Sequence, residues 1–194
     1  MKIAFTGSSS TGKTTLAKRL MQHQEFANVV GNFITEDARS LLESFGHKSM
    51  DNMSRDELRK FQKCYLDQKI ANEKSRDSFL VDRSYVDVAA YWLVRDSYDL
   101  PLIEQTDFEN KCRDLAASYD LHIQFPFDQI PFISDGYRSK DLDFHRDIAM
   151  KIQYLLDKWG CKYISIESPV IEKRIDQVLL ILSDYSHDRN SQQR

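Results

Sequence analysis

The sequence predicts an α/β fold, a five-stranded parallel sheet with helices on both faces and a lid segment, and three observations carry that prediction. Five short apolar runs are spread along the 194 residues with helical stretches between them, the alternation that gives parallel strands joined by right-handed crossovers. The first run, Ile3-Ala4-Phe5, leads directly into Gly7-Ser8-Ser9-Ser10-Thr11-Gly12-Lys13-Thr14, and Thr15-Leu16-Ala17-Lys18-Arg19-Leu20 continues as a helix. Hydrophobic residues make up 41% of the chain, enough for one core and, at this length, one domain.

Strand one spans residues 2–6. The loop after it is a complete G-x-x-x-x-G-K-T between a strand and a helix, the context in which that spacing cradles phosphate. Gly7 and Gly12 permit backbone conformations that a β-carbon would block, so successive N–H groups can turn inward. The helix adds its positive end. Lys13 is placed to reach the β- and γ-phosphates of a nucleoside triphosphate and the Thr14 hydroxyl to ligate Mg²⁺, with Ser8, Ser9, Ser10, Thr11 and Thr15 completing the cradle.

Strand two is expected at about 29–34, from Val29-Val30-Gly31-Asn32-Phe33-Ile34, and leads into Thr35-Glu36-Asp37-Ala38-Arg39. A carboxylate at Glu36, at the mouth of the cleft, can take the proton of an acceptor hydroxyl. Arg39, one helical turn on, shares its face. The alternative is an acidic first turn favoured by the helix dipole. Ser54-Arg55-Asp56-Glu57 is a capping box opening a long helix, with Leu58, Phe61 and Tyr65 on one face, to about Lys74.

Strand three, 79–82, ends in Val81-Asp82-Arg83-Ser84. Asp82 at the tip of a buried strand beside the cradle can hold Mg²⁺ or its waters, and Arg83 can fork onto an acceptor phosphate or the transferring group. Asp82 or Ser84 can equally cap the helix carrying Val88, Ala89, Tyr91 and Trp92. Thr106-Asp107-Phe108-Glu109 opens another helix, and strand four follows at 120–125. Residues 125–138 contain two prolines, a glycine and several bulky apolar residues, which describes a packed loop rather than a helix. It reads as a lid, about 126–147, whose cations Arg138, Lys140 and Arg146 can close over phosphates, Arg138 first among them. The interleaved Asp141, Asp143 and Asp147 permit a salt-bridged surface instead.

Strand five, 162–166, runs into Glu167-Ser168-Pro169, expected to border a bound adenine. Pro169 fits the first turn of a last helix with Val170, Ile171, Ile175, Val178 and Leu182 on its apolar side. Residues 184–194 are polar and read as a tail beyond a domain of residues 1–183.

Net charge is −3 and the pI about 6.0, which gives no global attraction to a polyanion. No apolar run approaches the ~20 residues of a membrane span, and the N-terminus enters a strand without a signal-peptide layout, so a soluble cytoplasmic protein is expected. Cys64, Cys112 and Cys161 are far apart in sequence and read as buried or half-buried free thiols. The five scattered histidines suggest no metal site.

The set G-S-S-S-T-G-K-T, T-E-D-A-R, V-D-R-S followed by an Ala-Tyr-Trp helix, and I-P-F-I-S-D-G-Y-R resembles the nicotinamide-riboside-kinase-like branch of P-loop ATPases. That branch is similar more widely to deoxynucleoside and thymidylate kinases. The resemblance runs from residue 1 to about 180 and implies ATP and Mg²⁺ use, transfer of the γ-phosphoryl group, Asp82-Arg83 at the acceptor, and a lid arginine at Arg138. The His-x-Gly-His signature of the adenylyltransferase domain found in bacterial members has no counterpart, which implies a self-contained kinase. The leading expectation is an ATP-dependent kinase of a small nucleoside- or nucleotide-like acceptor, with a homodimer among its expected assemblies. One alternative is a kinase of a hydroxyl on DNA or RNA, served by a basic face of Lys69, Lys74, Arg76 and the lid. The other is a nucleotide-switched regulatory ATPase.

Overall fold

The computed structural model describes residues 1–35, 37–133 and 139–192, with side chains described to residue 183. Strands β1 (Lys2–Thr6), β2 (Phe33–Thr35), β3 (Phe79–Asp82), β4 (Leu121–Gln124) and β5 (Tyr163–Ser165) pair in parallel in the order β2-β3-β1-β4-β5. The helices are α1 (Lys13–Leu20), α2 (Gln24–Val30), α3 (Ala38–Ser44), α4 (Arg55–Glu73), α5 (Tyr85–Tyr91), α6 (Leu102–Ala116), α7 (Leu142–Lys158) and α8 (Ile171–Gln192). This is the doubly wound arrangement of a P-loop NTPase. No helix among the described residues is long and apolar enough to cross a membrane.

The period of two along each strand divides the core. Ala4, Phe79 and Val81 face one side, where α4, α5, α6 and α7 pack through Phe61, Val88, Cys112 and Ile152. Ile3, Phe5 and Leu80 face the other, against Leu16, Phe26 and Val178 of α1, α2 and α8. Because every strand runs the same way, the loops that leave their carboxyl ends gather along one edge.

Four boundaries differ from the expectation. Val29 and Val30 end α2 rather than begin a strand. Phe26 and Val30, four residues apart, both bury into the core, and Gly31 at φ +70 ends the helix, so β2 starts at Phe33. Helix α6 begins at Leu102, directly after Pro101. Its first turn exposes Leu102 and Ile103, and that departure from amphipathic pattern hid the start. Helix α8 begins at Ile171, leaving Pro169 in the loop before it, and the backbone stays helical to Gln192 through much of the expected tail. Cys64 is exposed, not buried.

Candidate active site

The loop between β1 and α1 takes the shape its glycines allow. Gly12 lies at φ +83, where a β-carbon would stand 2.9 Å from Arg174 Nη1 and 3.2 Å from Ile130 Cδ1. Gly7 is pressed against the end of β4, and a β-carbon there would come within 2.6 Å of the Phe125 carbonyl oxygen. Lys13 Nζ curls back under the loop, donating to the carbonyl oxygens of Gly7 (2.8 Å) and Ser8 (2.6 Å) and to Thr11 Oγ1 (2.9 Å). The Gly7 N–H donates to Asp87 Oδ1 at 3.0 Å. That donor is therefore engaged by the protein itself.

Parallel register sets Asp82 opposite Phe5 and Thr35, at the carboxyl edge beside the loop. The Thr14 hydroxyl donates to Asp82 Oδ2, so the two expected metal ligands are brought together. Arg83 follows at φ +85, a left-handed conformation that costs a residue with a β-carbon roughly 1–2 kcal/mol. Its N–H donates to the Phe5 carbonyl oxygen at 3.0 Å, and its own carbonyl oxygen accepts from Lys69 Nζ at 2.6 Å. Lys69 is wholly buried and ion-paired to Glu73 at 2.7 Å. Tyr119 Oη donates to Glu73, 3.0 Å from either carboxylate oxygen. Lys69 thus anchors the β3 turn from inside and cannot belong to the expected basic face.

The Arg83 side chain reaches back toward the loop, with Nη2 donating to Ser9 Oγ at 3.2 Å and Nη1 standing 3.9 Å from Asp87 Oδ1. The cap of α5 is Ser84, in a capping box with Asp87, so the capping role expected of Asp82 or Ser84 falls to Ser84. A π-helical turn, Trp92–Asp96, continues α5. Such widened turns re-aim side chains, and this one carries Arg95, whose guanidinium packs on the Tyr91 ring at 5.5 Å while that of Arg83 packs on the same ring at 5.4 Å. Tyr91 Oη lies 3.1 Å from Ser9 Oγ.

These groups line one cavity of about 1040 Å³. Its first side is Ser9, Ser10, Thr11, Gly12, Lys13, Thr14 and Thr15, with Asp82; Gly7 and Ser8 form the wall behind. Its second side holds Arg39, Arg83 and Arg95 among Phe61, Tyr65, Tyr91 and Phe144. Of the described lid residues, Ile130, Pro131, Ile133, Ser139, Asp141, Phe144 and His145 reach the cavity, and the Ile133 carbonyl oxygen accepts from Ser10 Oγ at 2.9 Å. Arg146 instead pairs with Asp128 (3.2 Å) and Asp143 (2.7 Å), the salt-bridged surface named as the alternative. Asp37, not an acidic first turn, starts α3, accepting the Ser40 N–H at 3.0 Å. The candidate base Glu36 and the candidate lid arginine Arg138 lie outside the described residues. The 167–169 loop does not line the cavity; Arg174 ties it to the cradle, donating from Nε to the Ser168 carbonyl oxygen and from Nη1 to that of Thr11 at 2.8 Å.

Sequence reasoning missed Asp87, Arg95 and Arg174, and placed Lys69 on a solvent-facing basic surface when it lies in the core. A signal existed for Asp87, three residues after Ser84 in capping-box spacing. Another existed for Lys69, which falls on the stripe Leu58, Phe61, Gln62, Tyr65, Leu66 that α4 buries. Arg95 and Arg174 gain meaning only from tertiary neighbours.

A family model for an AAA domain matches residues 2–174. No curated protein matches the sequence. Among solved structures, deoxyadenosine kinase from M. mycoides with bound dATP has a TM-score of 0.64 at 13% identity, with 94% of this chain and 100% of that chain covered. Thymidylate kinase from Candida albicans has 0.63 at 14% identity, with 95% and 92% covered. NadR protein in complex with NR has 0.57 at 20% identity over 91% of this chain and 48% of that one, so the chain spans about half of NadR. At such identities the likeness is one of fold, that of P-loop nucleoside and nucleotide kinases. With the phosphate-loop sequence formed between β1 and α1, and a family model spanning all five strands, the chain belongs to the AAA domain family of P-loop proteins.

Proposed function

We propose that this chain is an ATP- and Mg²⁺-dependent phosphotransferase that moves the γ-phosphoryl group of ATP to a small nucleoside- or nucleotide-like acceptor in the cytoplasm, acting through one domain of residues 1–183. The observation that carries the reading is the two-sided cavity. One cavity is lined both by the phosphate loop with the Thr14–Asp82 pair and by Arg39, Arg83 and Arg95 with aromatic rings. That second side has the chemistry to hold a planar base among rings and an anionic or hydroxyl group by guanidinium.

Thr14 and Asp82 offer hard oxygen donors of the kind Mg²⁺ takes. Among the described residues no group of three or more His, Cys, Asp or Glu is arranged for a metal, which suits an ion that also binds phosphates and water. Thr14 and Asp82 would hold the ion, whose positive charge would offset the negative charge of the triphosphate. Lys13 would turn from the loop carbonyls to the phosphates. Arg83, fixed by its backbone and by Ser9, would brace the transferring group or an acceptor phosphate, with Arg39 on the opposite wall. Glu36 would receive the proton of a hydroxyl acceptor, and Arg138 would close from the lid. A monophosphate acceptor, already ionised, would rely on Arg39 and Arg83 more than on Glu36.

The test is radiolabelled Mg·ATP offered with nucleosides, nucleoside monophosphates and nicotinamide riboside, products being resolved chromatographically. Label on one acceptor class is the expected result. ATP consumption without transfer to any acceptor would refute the kinase reading.

A further inference from the structure

Arg174, in the first turn of α8, is only 2% exposed. Beyond its two carbonyl contacts it packs 5.7 Å from the centroid of the Phe125 ring. Among the described residues its Nη2 is buried without a hydrogen-bond partner and no carboxylate lies within ion-pairing distance of it. Cations on the opposite face of the sheet differ: Lys69 is paired with Glu73 and Arg95 with Asp96. A buried charge without a partner is costly, and burial draws the Arg174 pKa down accordingly. The fold therefore keeps a positive charge it does not itself neutralise.

The position of that charge is specific. All peptide bonds of the described residues are trans, so the C=O of Thr11 and the N–H of Gly12 point in opposite directions across one plane. Arg174 holds that C=O from the α8 side. The Gly12 N–H is thereby turned away from α8, and a charged donor on the carbonyl polarises it further.

We propose that Arg174 is a positioning residue for the nucleotide phosphates, its guanidinium lying behind the Thr11–Gly12 peptide and taking the polyanion in the cradle as its counter-ion. The inference rests on the reading of Gly7–Thr14 as a triphosphate site. It adds a cation that touches no phosphate, yet aims a loop N–H and supplies long-range charge.

The experiment compares wild type, Arg174→Met, Arg174→Gln and Arg174→Lys by thermal unfolding and by calorimetric titration with inorganic tripolyphosphate and with ATP. Removing the unpaired charge offsets the loss of its two carbonyl bonds, so the ligand-free melting temperature should change little, while tripolyphosphate affinity falls at least about tenfold, since one pair of unit charges roughly 10 Å apart at an effective dielectric near 20 already supplies that factor. Arg174→Lys should recover part of that affinity. A neutral variant with a lower ligand-free melting temperature and tripolyphosphate affinity within twofold of wild type would show a structural brace and overturn the proposal. Arg174→Gln carries the same comparison if Arg174→Met does not fold. A wild-type chain that binds neither ligand overturns the triphosphate reading as well, which separates the two failures.

Discussion

Replacing Lys69 by methionine tests how the turn after β3 is held. The ammonium is fully buried, 2.6 Å from the Arg83 carbonyl oxygen, 2.7 Å from Glu73 and 5.1 Å from the Tyr85 ring centroid. Methionine keeps most of the stem and removes the charge, leaving Glu73 as a buried carboxylate supported by Tyr119. Breaking one side of a buried pair costs about 3–5 kcal/mol. The Arg83 carbonyl loses its donor at the same time, while residue 83 still has to hold φ +85. For a domain of this size a loss near 4 kcal/mol corresponds to a melting temperature lower by about 10 °C. The assay is urea and thermal denaturation of Lys69→Met, Glu73→Leu and the double variant. Because removing both charges eliminates the orphan, the double variant should be at least as stable as Lys69→Met and recover about half its loss. Strictly additive losses would show that the two groups do not act as a pair and would refute the account.

Other expectations follow from the same geometry. Lys13→Ala removes the ammonium that joins Gly7, Ser8 and Thr11 and should lower phosphoryl transfer by about a hundredfold or more, read as turnover of labelled ATP; retained turnover would remove Lys13 from the chemistry. Asp82→Asn should raise the Mg²⁺ concentration for half-maximal turnover about tenfold, and an unchanged Mg²⁺ titration would place the metal elsewhere. Gly7→Ala drives a β-carbon into the Phe125 carbonyl oxygen, 2.6 Å away, and should cost about 1–3 kcal/mol of stability by chemical denaturation. His122 is 1% exposed, and burial pulls its pKa from 6.5 down to about 4. The unfolded chain takes up that proton first, so stability should fall as pH drops from 6.5 toward 4, by up to about 3 kcal/mol. His122→Asn should flatten that slope, and an equally steep slope in the variant would assign it to other groups.

What the sequence revealed divides along the cavity. The donor side was legible because Gly7–Thr14 is backbone chemistry at fixed spacing: two glycines free a loop, and the strand and helix beside it are contiguous in the chain. Asp82 was legible for a related reason, lying at the tip of a run buried on both faces. The other side is assembled from α3, α4, α5 and the lid, whose residues meet only through crossovers, so Arg95 carried no local mark. Val29-Val30 misled because β-branched pairs suit strands, whereas here Val30 completes an i, i+4 apolar pair with Phe26 that packs a short helix. Lys69 misled because a lysine on a long amphipathic helix is normally solvated; its phase on the buried stripe, with Glu73 four residues on, outweighed its type.

The two sides are nevertheless one mechanical unit, and Asp87 makes them so. Its Oδ1 accepts the Gly7 N–H at the root of the phosphate loop, its Oδ2 accepts both the N–H and the hydroxyl of Ser84, each at 2.8 Å, and Arg83 Nη1 stands 3.9 Å away. Hydrogen bonds to a buried carboxylate are stronger than neutral ones, and at 1% exposure water cannot replace them. A shift of the loop root would therefore have to move the start of α5, and with it the left-handed backbone of Arg83 that aims its side chain. Lys69 fixes that residue from the opposite side. The placement of Arg83 against the phosphate loop is thus set by one carboxylate and one ammonium, both inside the core, and is a property of the fold rather than of its loops.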